Sequence, residues 1–367
     1  MSSQFVLPPF VSRTLSAVIN TDVLDFWAAE LGMTTRWSRT VAKVVARWME
    51  TPDTVTLVLK PNRHFGSFRA GQHVNLTVEI AGVRHTRSYS FSEAPSAAGL
   101  VAITVKKVPN GRVSTHLVDT VAVGDQIELG QAFGDMTLDA APQGHGKLLF
   151  LAAGSGITPL MSLIRQLAGE GMPADVVLMY WVRTRQDLIF ASELRDLAAR
   201  HAGLRVQPIY ELEAELAEGE PSGRPSADQF AAVTPDLAER AVYACGPTGF
   251  MNAVRGLVAE QARDFHAEAF TPPVFVPAGD AAVTAKIHLA RSGRTLEVPA
   301  GMPLLDALEA QGVRPQSGCR MGICNTCACG KSGGVTRNLL NNELSVDDTA
   351  SLRICVSAAV GDLTLDL

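Results

Sequence analysis

Between about residues 40 and 140 apolar and polar positions alternate in short runs, "VAKVVARWM", "TVTLVLK", "HVNLTVEI", "VRHTRSYSFS" and "VAITVKKV", with turn formers such as "AGV" and "PNG" between them. A period of two in short segments predicts half-buried strands, hence an antiparallel β-barrel or sandwich. Near residue 146 the pattern changes. "KLLFLAAG", "DVVLMYWV", "LRVQPIYEL" and "AVYACG" are continuous apolar runs, separated by the helical stretches "PLMSLIRQLAGEG", "LIFASELRDLAARH" and "GFMNAVRGLVAEQARDF". That alternation predicts a doubly wound α/β domain with a parallel sheet. The Pro- and Gly-rich "TPPVFVPAGDAAV" reads as a linker. After it, "AKIHLARSG" and "RTLEVP" read as a hairpin and "MPLLDALEAQG" as a helix. Ahead of everything, Leu24, Phe26, Trp27 and Leu31 suit a short amphipathic helix starting near Thr21 or Asp22. The chain therefore divides into a helical extension (1–37), a β domain (38–144), an α/β domain (145–272), a linker (273–283) and a C-terminal domain (284–367).

Composition narrows the function. The 367 residues are 47% hydrophobic and 19% charged, with a formal net charge of −5 and no Lys/Arg run of five or more. A nucleic-acid partner has no electrostatic footprint here. "LLFLAAGSGITPLMSLI" is broken by Gly154, Ser155, Gly156 and Pro159, so no transmembrane span is expected. The first residues lack a basic n-region followed by an apolar stretch, so no signal peptide is expected and a cytoplasmic location is. The cysteines stand at 245, 319, 324, 327, 329 and 355. Such clustering without a secretion signal points to metal or redox chemistry rather than disulfides.

"CRMGICNTC" spaces Cys319, Cys324 and Cys327 as C-x4-C-x2-C, with Cys355 in "RICVSAA" a distant fourth. This is the spacing of plant-type [2Fe-2S] ferredoxins. The loop must fold its backbone around inorganic sulfur, and Gly318, Gly322 and Gly330 fit that need. A four-cysteine zinc site is the rival, but such sites favour paired C-x2-C units and only one is present. Cys329 stands outside the ligand set as a small buried or free thiol.

A cluster takes one electron at a time and a nicotinamide delivers a hydride, so a flavin is needed between them. "RSYSFS" places Arg87, Tyr89 and Ser90 in the R-x-Y-S pattern, and here the chain resembles the ferredoxin-NADP reductase superfamily. The resemblance implies that Arg87 pairs with flavin phosphate, that Tyr89 packs on the isoalloxazine and that Ser90 sits near N5. An arginine fork and a tyrosine face suit those roles. "NGRVSTHL" looks like the second flavin segment, in which Gly111, Val113 and Ser114 give backbone N–H groups and a hydroxyl to the pyrophosphate. FAD is expected, although relatives of phthalate dioxygenase reductase share the motif and use FMN.

"AAGSGITPL" follows a predicted strand, with Gly154 and Gly156 in the turn, Thr158 the expected N-cap and Pro159 at N1. A glycine turn before a helix N-terminus accepts a pyrophosphate. The usual third glycine is replaced by Pro159, as in the superfamily's own G-x-G-x-x-P version. "YACGPTGFM" matches its other nicotinamide motif, with Gly246 and Pro247, and resemblance puts Cys245 beside the hydride-transfer point. The acid of an NAD-preferring site is absent from "YWVRTRQD", where Arg183 and Arg185 stand instead, which favours NADPH with NADH possible.

The order flavin barrel, nucleotide domain, plant-type ferredoxin resembles phenylacetyl-CoA epoxidase reductase, hybrid-cluster protein reductase and the electron-transfer partners of bacterial acyl-CoA desaturases. The fold expected is an antiparallel β-barrel, a doubly wound α/β domain and a β-grasp ferredoxin domain. The function implied is electron transfer from NADPH through FAD and a [2Fe-2S] cluster to a separate protein, such as a di-iron fatty acyl desaturase or an oxygenase. "FVLPPF" and "DVLDFW" look most like the desaturase partners, which implies peripheral contact with a membrane-bound acceptor. An iron-sulfur redox sensor without turnover is the alternative, and the Ser90–Cys245 hydride set argues against it.

Overall fold

The computed structural model describes residues 39–138, 145–269, 284–340 and 342–367. The predicted N-terminal helix and the linker lie outside the described residues. In the β domain, β1 (Val41–Thr51), β2 (Thr54–Pro61), β3 (His73–Ile80), β4 (Val83–Ser90), β5 (Val101–Lys106) and β6 (Gln126–Phe133) form one antiparallel sheet in the order β4-β3-β6-β1-β2-β5. A bridge from Phe91 to Ile103 brings the two edges together, so the sheet curls into a barrel. Helix α1 (Arg112–Asp119) covers one opening through Val113 and Leu117, which join Val44, Leu57, Leu76 and Ile103 in the core. Along β3 the alternation sends Val74, Leu76 and Val78 into the core. His73, Asn75 and Thr77 sit on the other face, opposite Ser90, Ser88 and Thr86 of β4.

The α/β domain runs β7 (Gly146–Ala153), α2 (Ile157–Gly169), β8 (Ala174–Val182), α3 (Ala191–Arg200), β9 (Leu204–Tyr210), α4 (Ala227–Val233), β10 (Arg240–Gly246), α5 (Thr248–Val258) and β11 (Asp264–Ala269). All neighbours are parallel, in the order β11-β10-β7-β8-β9. The strands read as unbroken apolar runs because both faces are covered. Leu160, Ile164, Leu194 and Leu197 pack on one face, and Phe230, Phe250, Val254 and Val258 on the other. The order reverses between β7 and β10, so the crevice at their carboxyl ends is where this topology binds ligands. One expectation fails here. The helix read through Phe265 stops at Val258, whose carbonyl accepts the N–H groups of Gln261 and Ala262 and turns the chain into β11.

The C-terminal domain opens with the predicted hairpin, β12 (Thr284–Leu289) against β13 (Arg294–Pro299), then α6 (Leu304–Ala310). After the cysteine loop come β14 (Ala328–Ser332), β15 (Thr336–Asn338), β16 (Leu344–Ser345), β17 (Thr349–Arg353), β18 (Ser357–Ala359) and β19 (Leu363–Leu365). The main sheet, β13-β12-β19-β14-β17, and α6 enclose Ile287, Leu305, Leu308, Ile354 and Leu365, and β16-β15-β18 make a smaller sheet. No helix among the described residues is long and apolar enough to cross a membrane.

Candidate functional site

A cleft of about 680 Å3 opens along β4, and all three domains line it. The barrel contributes Arg87, Tyr89, Ser90, Lys106, Gly111, Val113 and Ser114. The α/β domain contributes Ser155 and Thr158, and the cysteine loop residues 318–321. Ser90 is buried, and its Oγ has no hydrogen-bond partner among the described residues, the state of a hydroxyl waiting for a ligand. Tyr89 is half-buried against the barrel core, and burial pushes its hydroxyl pKa up, so it stays a neutral ring wall. The exposed Arg87 leans on the Thr86 carbonyl (2.7 Å). The amide end of α1 opens into the cleft with its first N–H groups unused by the helix. Ser114 differs from expectation. Its Oγ accepts the Val108 N–H (3.1 Å) and donates to the Gly111 carbonyl (3.3 Å), so the hydroxyl folds its own loop. A second open hollow of about 540 Å3 shares His85, Asn110, Gly111 and Arg112 with the first, leaving room for a ligand as long as a dinucleotide.

At the switch point Gly154, at φ +54, starts a short 3-10 turn that runs directly into α2. The N-cap is therefore Gly156, not Thr158, and Pro159 stands at the third helical position. Thr158 bonds backwards to the Ser155 carbonyl (3.0 Å), as hydroxyls in a first turn do when the coil has already begun. A Cβ on Gly156 would lie 2.1 Å from the Cys245 carbonyl oxygen, so only glycine lets the β7 and β10 loops touch. Cys245, Gly246 and Pro247 thus stand immediately behind the Ser155–Thr158 turn rather than in the cleft wall. Cys245 is fully buried, which raises its thiol pKa well above normal and keeps it neutral.

Arg183 and Arg185 sit just past β8, each already engaged. Arg183 donates to Asp187 (2.9 Å), while Arg185 lies over the Tyr210 ring (4.6 Å) and grips Glu220 with both Nη atoms. Glu213 accepts the Arg185 N–H (2.6 Å). Acids from two loops thus hold the arginines, Asp187 after β8 and Glu213 and Glu220 after β9.

The four predicted ligands pair two by two. Cys319 lies against Cys324 and Cys355 against Cys327, and within each pair the proton is shared unequally, so that Cys324 and Cys327 are lowered and Cys319 and Cys355 raised. Backbone N–H groups also point at sulfur, Cys319 N to Cys324 Sγ (3.2 Å) and Met321 N to Cys319 Sγ (3.3 Å). Among the described residues no group of three or more His, Cys, Asp or Glu converges on one ion. Four cysteines at this spacing are the ligand set of a [2Fe-2S] cluster. Gly322, at φ +77, accepts from Arg353, and a Cβ there would meet the Val356 side chain at 2.7 Å. Cys329 is buried in the same domain core as Cys327 and Cys355.

Comparison with known proteins agrees. Residues 42–137 match the oxidoreductase FAD-binding domain family, 150–256 the oxidoreductase NAD-binding domain family and 287–360 the 2Fe-2S iron-sulfur cluster binding domain family. A Mycobacterium tuberculosis NADPH oxidoreductase is 37% identical over 87% of this chain and 82% of its own length. The NADH oxidoreductase HCR of Escherichia coli is 35% identical over 76% and 81%. The chain belongs to the ferredoxin-reductase family of flavin and iron-sulfur oxidoreductases. The crystal structure of phthalate dioxygenase reductase, described as a modular structure for electron transfer from pyridine nucleotides to [2Fe-2S], is 25% identical. It superimposes with a TM-score of 0.58 over 89% of this reductase and 97% of that chain. FAD, NAD(P)H and a [2Fe-2S] cluster are its cofactors, and the open Ser90 hydroxyl, the free α1 amides and the paired thiols fit them.

Several groups that position this site were not anticipated. His73 Nε2 lies 3.1 Å from Glu268 Oε2, across the barrel and nucleotide domains. Ladder pairing sets His73 opposite Ser90 and Glu268 opposite Cys245. Burial lowers His73 to about 4 and, with help from Asp135, raises Glu268 to about 8, so near neutrality both are uncharged. Lys106 bridges Asp53 (2.9 Å) and Asp187 (3.0 Å), tying β5 to the loop after β8. Burial opposes the Asp187 charge, but bonds from Arg183, Lys106 and Thr184 hold its carboxyl at about 2. Arg165 donates to the Ser92 carbonyl (2.5 Å) and clamps Glu193, a further link between the two domains.

Proposed function

We propose that this reductase draws hydride from NADPH in preference to NADH and hands single electrons to a separate acceptor protein, an oxygenase or a di-iron fatty acyl desaturase. The observation that carries the reading is the single cleft lined by the flavin motif, the nucleotide turn and the cysteine loop. When bound, FAD accepts a hydride and releases electrons singly, and the cluster carries one at a time.

In this reading the protein binds, orients and insulates. Arg87 and the α1 amides, with Gly111, Val113 and Ser114 shaping the loop, would hold the flavin pyrophosphate. Tyr89 would pack on the ring, and Ser90 would present its hydroxyl near the hydride-accepting edge. Gly154, Gly156, Thr158 and Pro159, with Gly246 and Pro247, would seat the nucleotide pyrophosphate at the α2 N-terminus. Cys245, kept neutral by burial, would line the nicotinamide side without adding charge. Arg183 and Arg185 would take the 2′-phosphate, which must draw Arg185 off Glu220. Cys319, Cys324, Cys327 and Cys355 would hold the irons.

An oxygenase acceptor is supported by relatives named as a glycine betaine monooxygenase reductase subunit and a 3-ketosteroid-9-alpha-monooxygenase ferredoxin reductase component, 32% and 34% identical. The desaturase version rests on residues 1–37, which lie outside the described residues, and it would bring peripheral contact with a membrane-bound partner. Steady-state kcat/KM for NADPH and NADH with a dye acceptor tests the nucleotide preference, and equal values would remove it. Reconstitution with a purified monooxygenase and with a desaturase in lipid vesicles separates the acceptors, because only the true one should raise NADPH consumption together with product.

A further inference from the structure

On the outward face of the β3–β4 ladder, successive cross-strand pairs each meet a different domain. The His73–Ser90 pair meets Glu268 of the α/β domain. The next, Asn75–Ser88, meets the cysteine loop, because Asn75 Nδ2 donates to Thr326 Oγ1 across the domain boundary (3.3 Å). Pairs two residues apart stand only about 7 Å from each other along a strand. The inlet and the outlet for electrons are therefore set on adjacent rungs of one rigid ladder.

The Asn75 contact is built rather than incidental. Ser88, a wall residue of the cleft, donates its Oγ proton to Asn75 Oδ1 (2.5 Å). Thr326 Oγ1 in turn stands beside Cys324 Sγ, for a Cβ on Gly318 would meet each of them at 2.9 Å. The donors fix the direction of the chain, from Ser88 through the Asn75 amide to Thr326. Space is reserved for it as well. A Cβ on Gly318 would come 3.2 Å from Asn75 Nδ2 and 2.9 Å from Thr326 Oγ1, and one on Gly130 would come 3.3 Å from Asn75 Cβ. Glycines on both sides let the amide reach the loop.

We propose that Asn75 is the seat of the ferredoxin domain: a positioning residue that, through Ser88 and Thr326, docks the Cys324 side of the cluster loop against the flavin wall. The proposal rests on the electron order given above. Asn75→Asp is the sharpest test, since it keeps the shape and the acceptor for Ser88 but removes the donor and sets a negative charge beside Cys324. Losing one hydrogen bond of ordinary strength lowers the docked population about three- to tenfold, and the added repulsion lowers it further.

Two readouts are taken on the intact holoprotein. Anaerobic stopped-flow follows flavin bleaching by NADPH and then cluster reduction. Amide hydrogen exchange follows residues 317–327. The expected result is unchanged flavin bleaching, cluster reduction slowed at least threefold, and faster exchange confined to the loop, with cluster absorbance retained. Asn75→Ala should give the same pattern more mildly. Wild-type exchange and wild-type cluster reduction in Asn75→Asp would overturn the proposal, as would equal slowing of both steps with exchange raised throughout the barrel. Absence of cluster reduction in the wild-type protein would instead overturn the electron order itself.

Discussion

Arg185 meets an incoming nucleotide with its fork already filled by Glu220 and its face on Tyr210. If a 2′-phosphate takes over that fork, Arg183→Ala with Arg185→Ala should raise KM for NADPH by roughly 10- to 100-fold, the worth of one or two charge-assisted bonds, and leave KM for NADH nearly unchanged. Equal effects on both nucleotides would return the arginines to the surface network with Asp187 and Glu220. Glu268 offers a pH test. Its carboxyl is held at about 8 against an ordinary 4.5, so the fold favours its neutral form, a contribution fully present only below 4.5 and lost as pH rises through 8. His73, depressed from 6.5 to about 4, has the opposite sign and acts only below about pH 7. Above pH 7 the slope therefore belongs to Glu268. Glu268→Gln should gain stability relative to wild type between about pH 7 and 8.5, by about 1 kcal/mol across that interval, read as a rise in relative melting temperature. Parallel curves would show that Glu268 is ionised throughout. At this scale the motif of Cys319, Cys324 and Cys327 was legible because its spacing is local. The His73–Glu268 contact was not, because its partners lie far apart in sequence and only the β3–β4 and β10–β11 ladders bring them together.

The strands were read correctly where their period was clean, and β7, β8 and β10 betrayed their burial by unbroken apolar runs that follow one charged residue near the start, Lys147, Asp175 and Arg240. Two element-level misses share a cause. The 3.6-residue apolar pattern continues past Val258 although hydrogen bonds end the helix there, and Thr158 looks like a cap although the Gly-Ser-Gly turn has already begun the coil. Helix α1 was read as a flavin segment with no helix assigned, since its apolar stripe is only Val113, Leu117 and Val118. The β7–β10 junction itself makes a prediction. Gly156→Ala puts a methyl on the Cys245 carbonyl, which should cost about 1–3 kcal/mol of stability and push α2 away from β10. Purified protein should retain FAD but be bleached far more slowly by NADPH. Wild-type bleaching would mean that the two loops need not touch.

Across the whole molecule, the domain order could be read from motifs, whereas the way the domains face one another could not. That arrangement depends on single side chains, Lys106 on Asp187, His73 on Glu268 and Asn75 on Thr326, none of which carries a motif. Its outcome is one cleft lined by the flavin motif, the nucleotide turn and Cys319. Electrons should therefore pass from nucleotide to flavin to cluster and nowhere else. Cys324→Ser tests this most directly, because it breaks one thiol pair and leaves the other two domains untouched. The variant, titrated anaerobically with NADPH, should lack the cluster's visible absorbance and lose cytochrome c reduction, while its flavin is bleached at the wild-type rate. Loss of flavin bleaching in the folded variant, or cytochrome c reduction at the wild-type rate without a cluster, would contradict the order.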